Sequence, residues 1–260
     1  MMKSDDFTYC ARQARQRDYA RYLCALAAPA RQRDSLFVLL AFNDELGKIR
    51  EIVSEPGLGE IRLAWWREVL ARDGAYDAGT HPVARALVSV VENHNLAPDN
   101  LQAMIDGRGR DLDPTPFETV EDLTAYAEAT AGSLARASLD ILTIEDQENR
   151  LATTEIATAW ALLGILRSLP YHERAGRRLV GSRLSLSDVV ACADDLLVAA
   201  RGRARQTSRK AHPVLMLARL CDPYLMRLRA ANGDVRKADF EFAPWDPVWR
   251  VLSGRFSRSY

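Results

Sequence analysis

The chain has 260 residues, 35 lysines and arginines against 35 aspartates and glutamates, and apolar side chains at 48% of its positions. That apolar fraction fills a core and argues against disorder, and the charge balance argues against a nucleic-acid binder that works by bulk attraction. Cys10, Cys24, Cys192 and Cys221 form no CxxC pair, which argues against zinc and for four reduced thiols. The opening MMKSDDFTYCARQARQRDYARYL has no apolar run of signal-peptide length. Nor does any stretch approach the roughly 18 apolar residues of a membrane span. The expectation is a cytoplasmic protein with no transmembrane segment, with a peripheral place at the inner membrane left open.

Residues 4–27 read as a first helix, charged early and apolar late, running into Ala28-Pro29. A second covers 31–53, with Leu36 to Phe42 deep in the core. Pro56 and Gly57 punctuate the chain. The third helix carries Ile61, Leu63, Trp65, Trp66, Val69 and Leu70. Adjacent Trp65 and Trp66 point about 100° apart, one inward and one nearer the surface. Gly74 to Gly79 is a loop. His81-Pro82 opens a fourth helix and Pro98 a fifth, which runs to about Leu112. After Asp113-Pro114-Thr115-Pro116, Thr119 with Asp122 caps a long helix through Leu142. Its apolar residues step by three and four, and Gly132 marks a close helix approach. The most apolar helix covers 147–169, with Trp160, Leu163 and Leu166 buried, and Pro170 ends it. Ser185 with Asp188 caps the next, and another covers about 212–231. The sequence therefore predicts an all-α, single-domain helical bundle over 1–232, followed by a less regular tail, 233–260.

Four segments, in order, resemble the squalene/phytoene synthase family of head-to-head prenyl transferases. They are Ala41 to Glu51, Arg62-Leu63-Ala64-Trp65-Trp66-Arg67, the stretch from Asp106-Gly107-Arg108 and Asp111-Leu112 through Tyr126 to Thr130-Ala131-Gly132-Ser133, and Leu163-Gly164-Ile165-Leu166-Arg167 with Gly176-Arg177-Arg178-Leu179 after it. The resemblance implies the helical bundle of the isoprenoid synthases. It also implies a chemical requirement. Ionising a prenyl diphosphate needs magnesium ions on carboxylate oxygens, and D-x-x-x-D on each of two facing helices supplies them.

The chain departs from the family at those positions. The first motif reads Gly47-Lys48-Ile49-Arg50-Glu51 and the second Ser168-Leu169-Pro170-Tyr171-His172, with Ala161 and Gly164 where the family has amides. Glu51, Asp111 and Arg167 are the residual family positions. Glu51 reads either as a remaining metal ligand or as one end of an ion pair with Lys48 or Arg50. Arg167 either binds phosphate or pairs with Asp111. Together Lys48, Arg50, Arg167 and His172 form a candidate ligand-binding set for an anionic headgroup. No catalytic residues, metal site or cofactor are expected, with Mg2+ required only if the protein is an active synthase.

The phrase Phe42-Asn43-Asp44-Glu45-Leu46, with Glu55-Pro56 and Gly59-Glu60-Ile61-Arg62, resembles a branch of the family formed by assembly factors for respiratory complex I. The leading expectation is a non-catalytic accessory factor for a membrane respiratory complex. Its partner would be a subunit of that complex, or an anionic lipid or prenyl diphosphate. The alternatives are a prenyl diphosphate transferase of isoprenoid biosynthesis and a lipid carrier using an apolar cavity alone.

Overall fold

A computed structural model describes residues 4–53, 55–71, 79, 81–203, 206–240, 243, 245–256 and 260. Helices carry it. In chain order they are α1 (Ser4–Arg17), α2 (Tyr19–Ala25), α3 (Ala30–Ile52), α4 (Pro56–Ala71), α5 (Pro82–His94), α6 (Pro98–Gly109) and α7 (Val120–Ala127). There follow α8 (Ser133–Ile141), α9 (Gln147–Arg174), α10 (Leu186–Gly202), α11 (His212–Leu215), α12 (Leu217–Ala230) and α13 (Asp246–Phe256). Among the described residues the only β pairing is an isolated bridge between Phe117 and Val180. The expected all-α fold is present.

Two helices form the axis of the bundle. In α3 every residue from Ser35 to Phe42 is buried, so two turns are enclosed on all sides. In α9, Ala152, Ile156, Ala159, Leu163 and Leu166 follow one another at steps of three and four, and all are buried. Helix α9 packs on α7, α8, α10 and α12, and α3 on α1, α5 and α8. Trp66 is buried against Phe42, with ring centroids 5.0 Å apart, while Trp65 is half-buried, as their angular offset requires.

Boundaries with local capping chemistry match the expectation. The Thr119 hydroxyl accepts from Asp122 N at 3.1 Å, and Ser185 from Asp188 N at 3.3 Å. Four boundaries differ. The first helix breaks at Asp18, whose φ of −138° leaves the helical region and whose carboxylate accepts from Arg21 N to start α2. Pro170 does not end α9. It removes one rung only, and the helix continues to Arg174, whose guanidinium donates to Pro170 O at 3.0 Å. The long helix from Val120 is interrupted by a π-helical turn, Glu128–Gly132. There a Cβ on Gly132 would stand 3.0 Å from Glu128 Cγ and 3.1 Å from Thr154 Cγ2, so glycine permits the close approach of α9. Finally, 212–231 divides between α11 and α12 at Met216, and the segment after Gly233 holds α13, packed on α2 and α12. Most of the predicted loop from Gly74 to Gly79 lies outside the described residues.

Candidate functional site

A cavity of about 560 Å3 lies between α3 and α9. Helix α3 contributes Gly47, Arg50 and Glu51, and α9 contributes Ala161, Gly164, Ser168 and His172. All four positions corresponding to the family's paired aspartates (Gly47, Glu51, Ser168 and His172) thus face one space. The i, i+4 spacing within each helix puts both members on one face, as the sequence argument required. A strap closes one side: Phe117 N donates to Leu179 O at 2.9 Å, and Gly181 N to Phe117 O at 2.7 Å. Gly176, at φ +71°, turns the chain from α9 into that strap, a conformation that glycine adopts without strain. Arg110 braces this strap, its guanidinium 4.4 Å from the Phe117 ring centroid and donating to Thr115 O at 2.6 Å. A recess of about 320 Å3 adjoins the cavity, shares Gly47, Glu51, Arg108 and Trp160 with it, and adds Arg17, Lys48 and Arg167.

Most charges around this space are already matched. Arg108 donates to Asp111 at 3.1 Å and to the Tyr126 hydroxyl at 2.8 Å, and Tyr126 donates to Asp111 at 2.7 Å. Burial alone would weaken the Arg108 charge. Tyr126 and Asp111 more than restore it and hold its pKa above the usual range. Burial likewise pushes the Tyr126 phenol up, so it stays a neutral donor. Lys48 sits between Asp44 at 2.6 Å and Glu45 at 3.2 Å. Burial favours a protonated Glu45, but the His81 ring 3.7 Å away, Gln13 and Lys48 bring its pKa down to about 2. Arg21 pairs with Asp18 at 2.9 Å, and Arg110 with Asp113 at 3.4 Å.

The two alternatives left by spacing resolve differently from either pairing expected. Glu51 meets neither Lys48 nor Arg50; its nearest cation is Arg17 on α1, at 4.0 Å. Asp111 is held by Arg108 and Tyr126, not by Arg167. Arg167 lies over two rings, 4.3 Å from the Tyr224 centroid and 5.3 Å from that of Trp160. Arg50, Arg167 and His172 all border the cavity or its recess, as does Lys48, whose ammonium is already engaged. His172 has a pKa lowered by burial and by Arg177, and its Nδ1 is buried without a hydrogen-bond partner.

The residues present do not fit a magnesium cluster. Among the described residues no three His, Cys, Asp or Glu side chains converge as a metal site. Asp111 and Asp44 already accept from cations and neutral donors, and Glu51 is the only carboxylate at the four paired positions. Sequence reasoning missed Arg17, Arg108, Tyr126 and Arg177 as parts of the site. Arg108, Tyr126 and Arg177 stood inside the quoted motifs, but the contacts of Tyr126 with Arg108 and Asp111 span 18 and 15 residues, beyond any helical spacing.

A family-level comparison matches residues 14–182 to squalene/phytoene synthase. The chain is 38% identical over 164 residues to NADH dehydrogenase (ubiquinone) complex I, assembly factor 6, of Bos taurus, a match covering 63% of this chain and 49% of that protein. It is 28% identical over 254 residues to the homolog of that factor in Drosophila melanogaster, covering 86% of this chain and 75% of that one. The chain therefore spans about half the length of the mammalian relative it matches. A crystal structure of a dehydrosqualene synthase in complex with ligand superposes with a TM-score of 0.78 at 19% identity, over 96% of this chain and 95% of that one, which establishes the shared fold.

Proposed function

Because the chain belongs to the squalene/phytoene synthase family yet lacks the carboxylates its magnesium chemistry requires, we propose that it is a non-catalytic member that assists assembly of a membrane respiratory complex of the complex I type. The observation that carries this reading is the 38% identity to a complex I assembly factor. The cavity supports it, since its carboxylates are occupied by the protein's own cations. The partner would be a subunit of that complex.

Deleting the gene should lower assembled complex I on native gels and leave polyprenyl lipids unchanged. Glu51→Gln should restore assembly to about the wild-type level, because this half-exposed side chain has one partner at the limit of ion-pair distance. Normal assembly with a missing squalene-like or phytoene-like lipid would overturn the proposal in favour of a transferase. In that case Glu51→Gln should abolish turnover.

The same proposal places the protein peripherally at the inner membrane. Among the described residues no helix is long and apolar enough to cross a membrane. Trp245, the residue before α13, and Trp249, each 71% exposed, are followed by exposed Leu252, at steps of four and three. From Trp245 onward the sequence holds Arg250, Arg255 and Arg258 against a single acid, Asp246. Exposed tryptophan and leucine beside a basic stretch of sequence suit the headgroup layer of an anionic bilayer. The protein should co-sediment with vesicles containing anionic lipid, and replacing both tryptophans with Ser should cut the bound fraction several-fold. Equal sedimentation of the variant would remove α13 from the membrane contact.

A further inference from the structure

Helix α4 turns only one side to the bundle. Gly59, Leu63, Trp66 and Val69 are buried at steps of three and four, and the helix packs on α3, α5 and α6. A Cβ on Gly59 would overlap the Leu112 side chain, so glycine lets α4 lie close there. Near the other end Arg67 donates through two nitrogens to Asp106 on α6, at 2.8 and 3.1 Å. The helix is thereby fixed along its length.

Its opposite side carries apolar residues with no cover. Ile61 is 66% exposed, Leu58 47%, and Ile52, at the end of α3, 57%. Gly57 and Ala64, a turn before and a turn after Ile61, are also exposed and add little bulk. Trp65, half-buried against Trp66 and His81, borders the stripe. Leu58, Ile61 and Trp65 thus stand at steps of three and four with small residues beside them, a ridge on which a second helix can pack closely. The charges around this ridge are one-sided. Glu55, Glu60 and Glu68 are exposed, against Arg62, and none of the four makes an ion pair among the described residues.

We propose that this outer face of α4 is a docking surface for a basic amphipathic helix of a partner protein. Its apolar residues would cover Ile52, Leu58 and Ile61, and its lysines or arginines would meet Glu55, Glu60 and Glu68.

Charge decides among the possible occupants. An anionic bilayer is repelled by a rim of three acids and one base. A second copy in two-fold contact would set this acidic face against itself. A basic helix gains attraction from the same rim while it covers the apolar ridge. The chemistry is the reverse of that at α13, where exposed tryptophans adjoin a basic stretch, and α13 packs on α2 and α12 instead. The two faces therefore suit different partners. The inference deepens the accessory role and rests on it for placing the partner in the respiratory complex; the surface itself is tested on the purified protein.

The probe is a synthetic helical peptide of about 18 residues, or five turns, with leucines at steps of three and four and lysines elsewhere. Its counterpart carries glutamates in place of the lysines. Fluorescence anisotropy of the labelled peptides should show saturable binding of the lysine peptide to the wild-type protein and none of the glutamate peptide. Leu58→Ser with Ile61→Ser should keep the wild-type circular dichroism and melting temperature, since both side chains are exposed, and weaken binding about tenfold. Glu60→Lys with Glu68→Lys should lose the lysine peptide and gain the glutamate peptide. In cells, the serine variant should accumulate normally and fail to restore complex I assembly. Deletion that leaves complex I intact would overturn the accessory role and not the surface, which the titrations decide by themselves. No saturable binding, equal binding of the two peptides, or wild-type affinity in both variants would overturn the surface. Full restoration by the serine variant, where deletion does lower complex I, would overturn its docking role. So would a dimer in sedimentation equilibrium that the serine variant abolishes, which gives the face to a second copy, or a loss of vesicle binding in that variant, which gives it to the membrane.

Discussion

Leu163→Ala should destabilise the protein by roughly 2–5 kcal/mol, the range for a buried leucine whose cavity cannot fully collapse. Leu163 is 1% exposed and sits midway along α9, the helix that touches α7, α8, α10 and α12. The neighbouring turns offer Ala159, Leu162 and Leu166, themselves fully enclosed, so little can move in to fill the space. Urea denaturation should show a lower midpoint with an unchanged slope, since the surface exposed on unfolding is nearly the same. Leu151→Ala, near the start of the same helix and 36% exposed, should cost clearly less. It keeps α9 intact while removing little buried area, so the contrast isolates packing from helix propensity. A loss below about 0.5 kcal/mol at Leu163 would mean that α9 is not the centre of the bundle.

The bundle was legible because its signals are local. Steps of three and four in α9, and hydroxyl caps at Thr119 and Ser185, depend on residues within one or two turns. Pro170 misled for a physical reason. A proline inside a helix costs about 3 kcal/mol, but Leu169 beside it is buried and holds the chain against the bundle. Tertiary packing therefore outweighs the local rule. The π-helical turn at Glu128–Gly132 leaves no periodic trace, because buried Ala127, Ala131 and Leu134 keep ordinary helical steps of four and three across it. In the site, the backbone positions were legible and the pairings were not. Gly47, Glu51, Ser168 and His172 face one cavity as the motif spacing required. Arg17 reaches Glu51 only because α1 packs on α3, and no spacing within either helix encodes that contact. Arg177 read as part of a turn, and its place on the cavity wall depends on how the strap after Gly176 closes against Phe117.

The second large effect is expected at Arg108. Arg108→Met keeps the length of the stem and removes the charge, leaving the Asp111 carboxylate without its cation and with the Tyr126 hydroxyl as its remaining donor. Breaking a buried ion pair costs about 3–5 kcal/mol. Arg108 and Asp111 side chains are 20% and 22% exposed, and water reaches them in part, so a loss of roughly 2–4 kcal/mol is expected. Asp111→Asn removes the charge but keeps an acceptor for Tyr126 and should cost less. In the double variant neither charge is left unpaired, and the loss should fall short of the sum of the singles by about 1–3 kcal/mol. Denaturation of the four proteins closes the cycle; additivity within about 0.5 kcal/mol would show that the triad is not coupled. The sign bears on the site as well. A metal-ligating Asp111 would be an anion held without a cation in the free protein, and neutralising it would stabilise the fold. Here its charge is held by Arg108, so Asp111→Asn should destabilise, and added Mg2+ should leave the melting temperature of the wild-type protein unchanged.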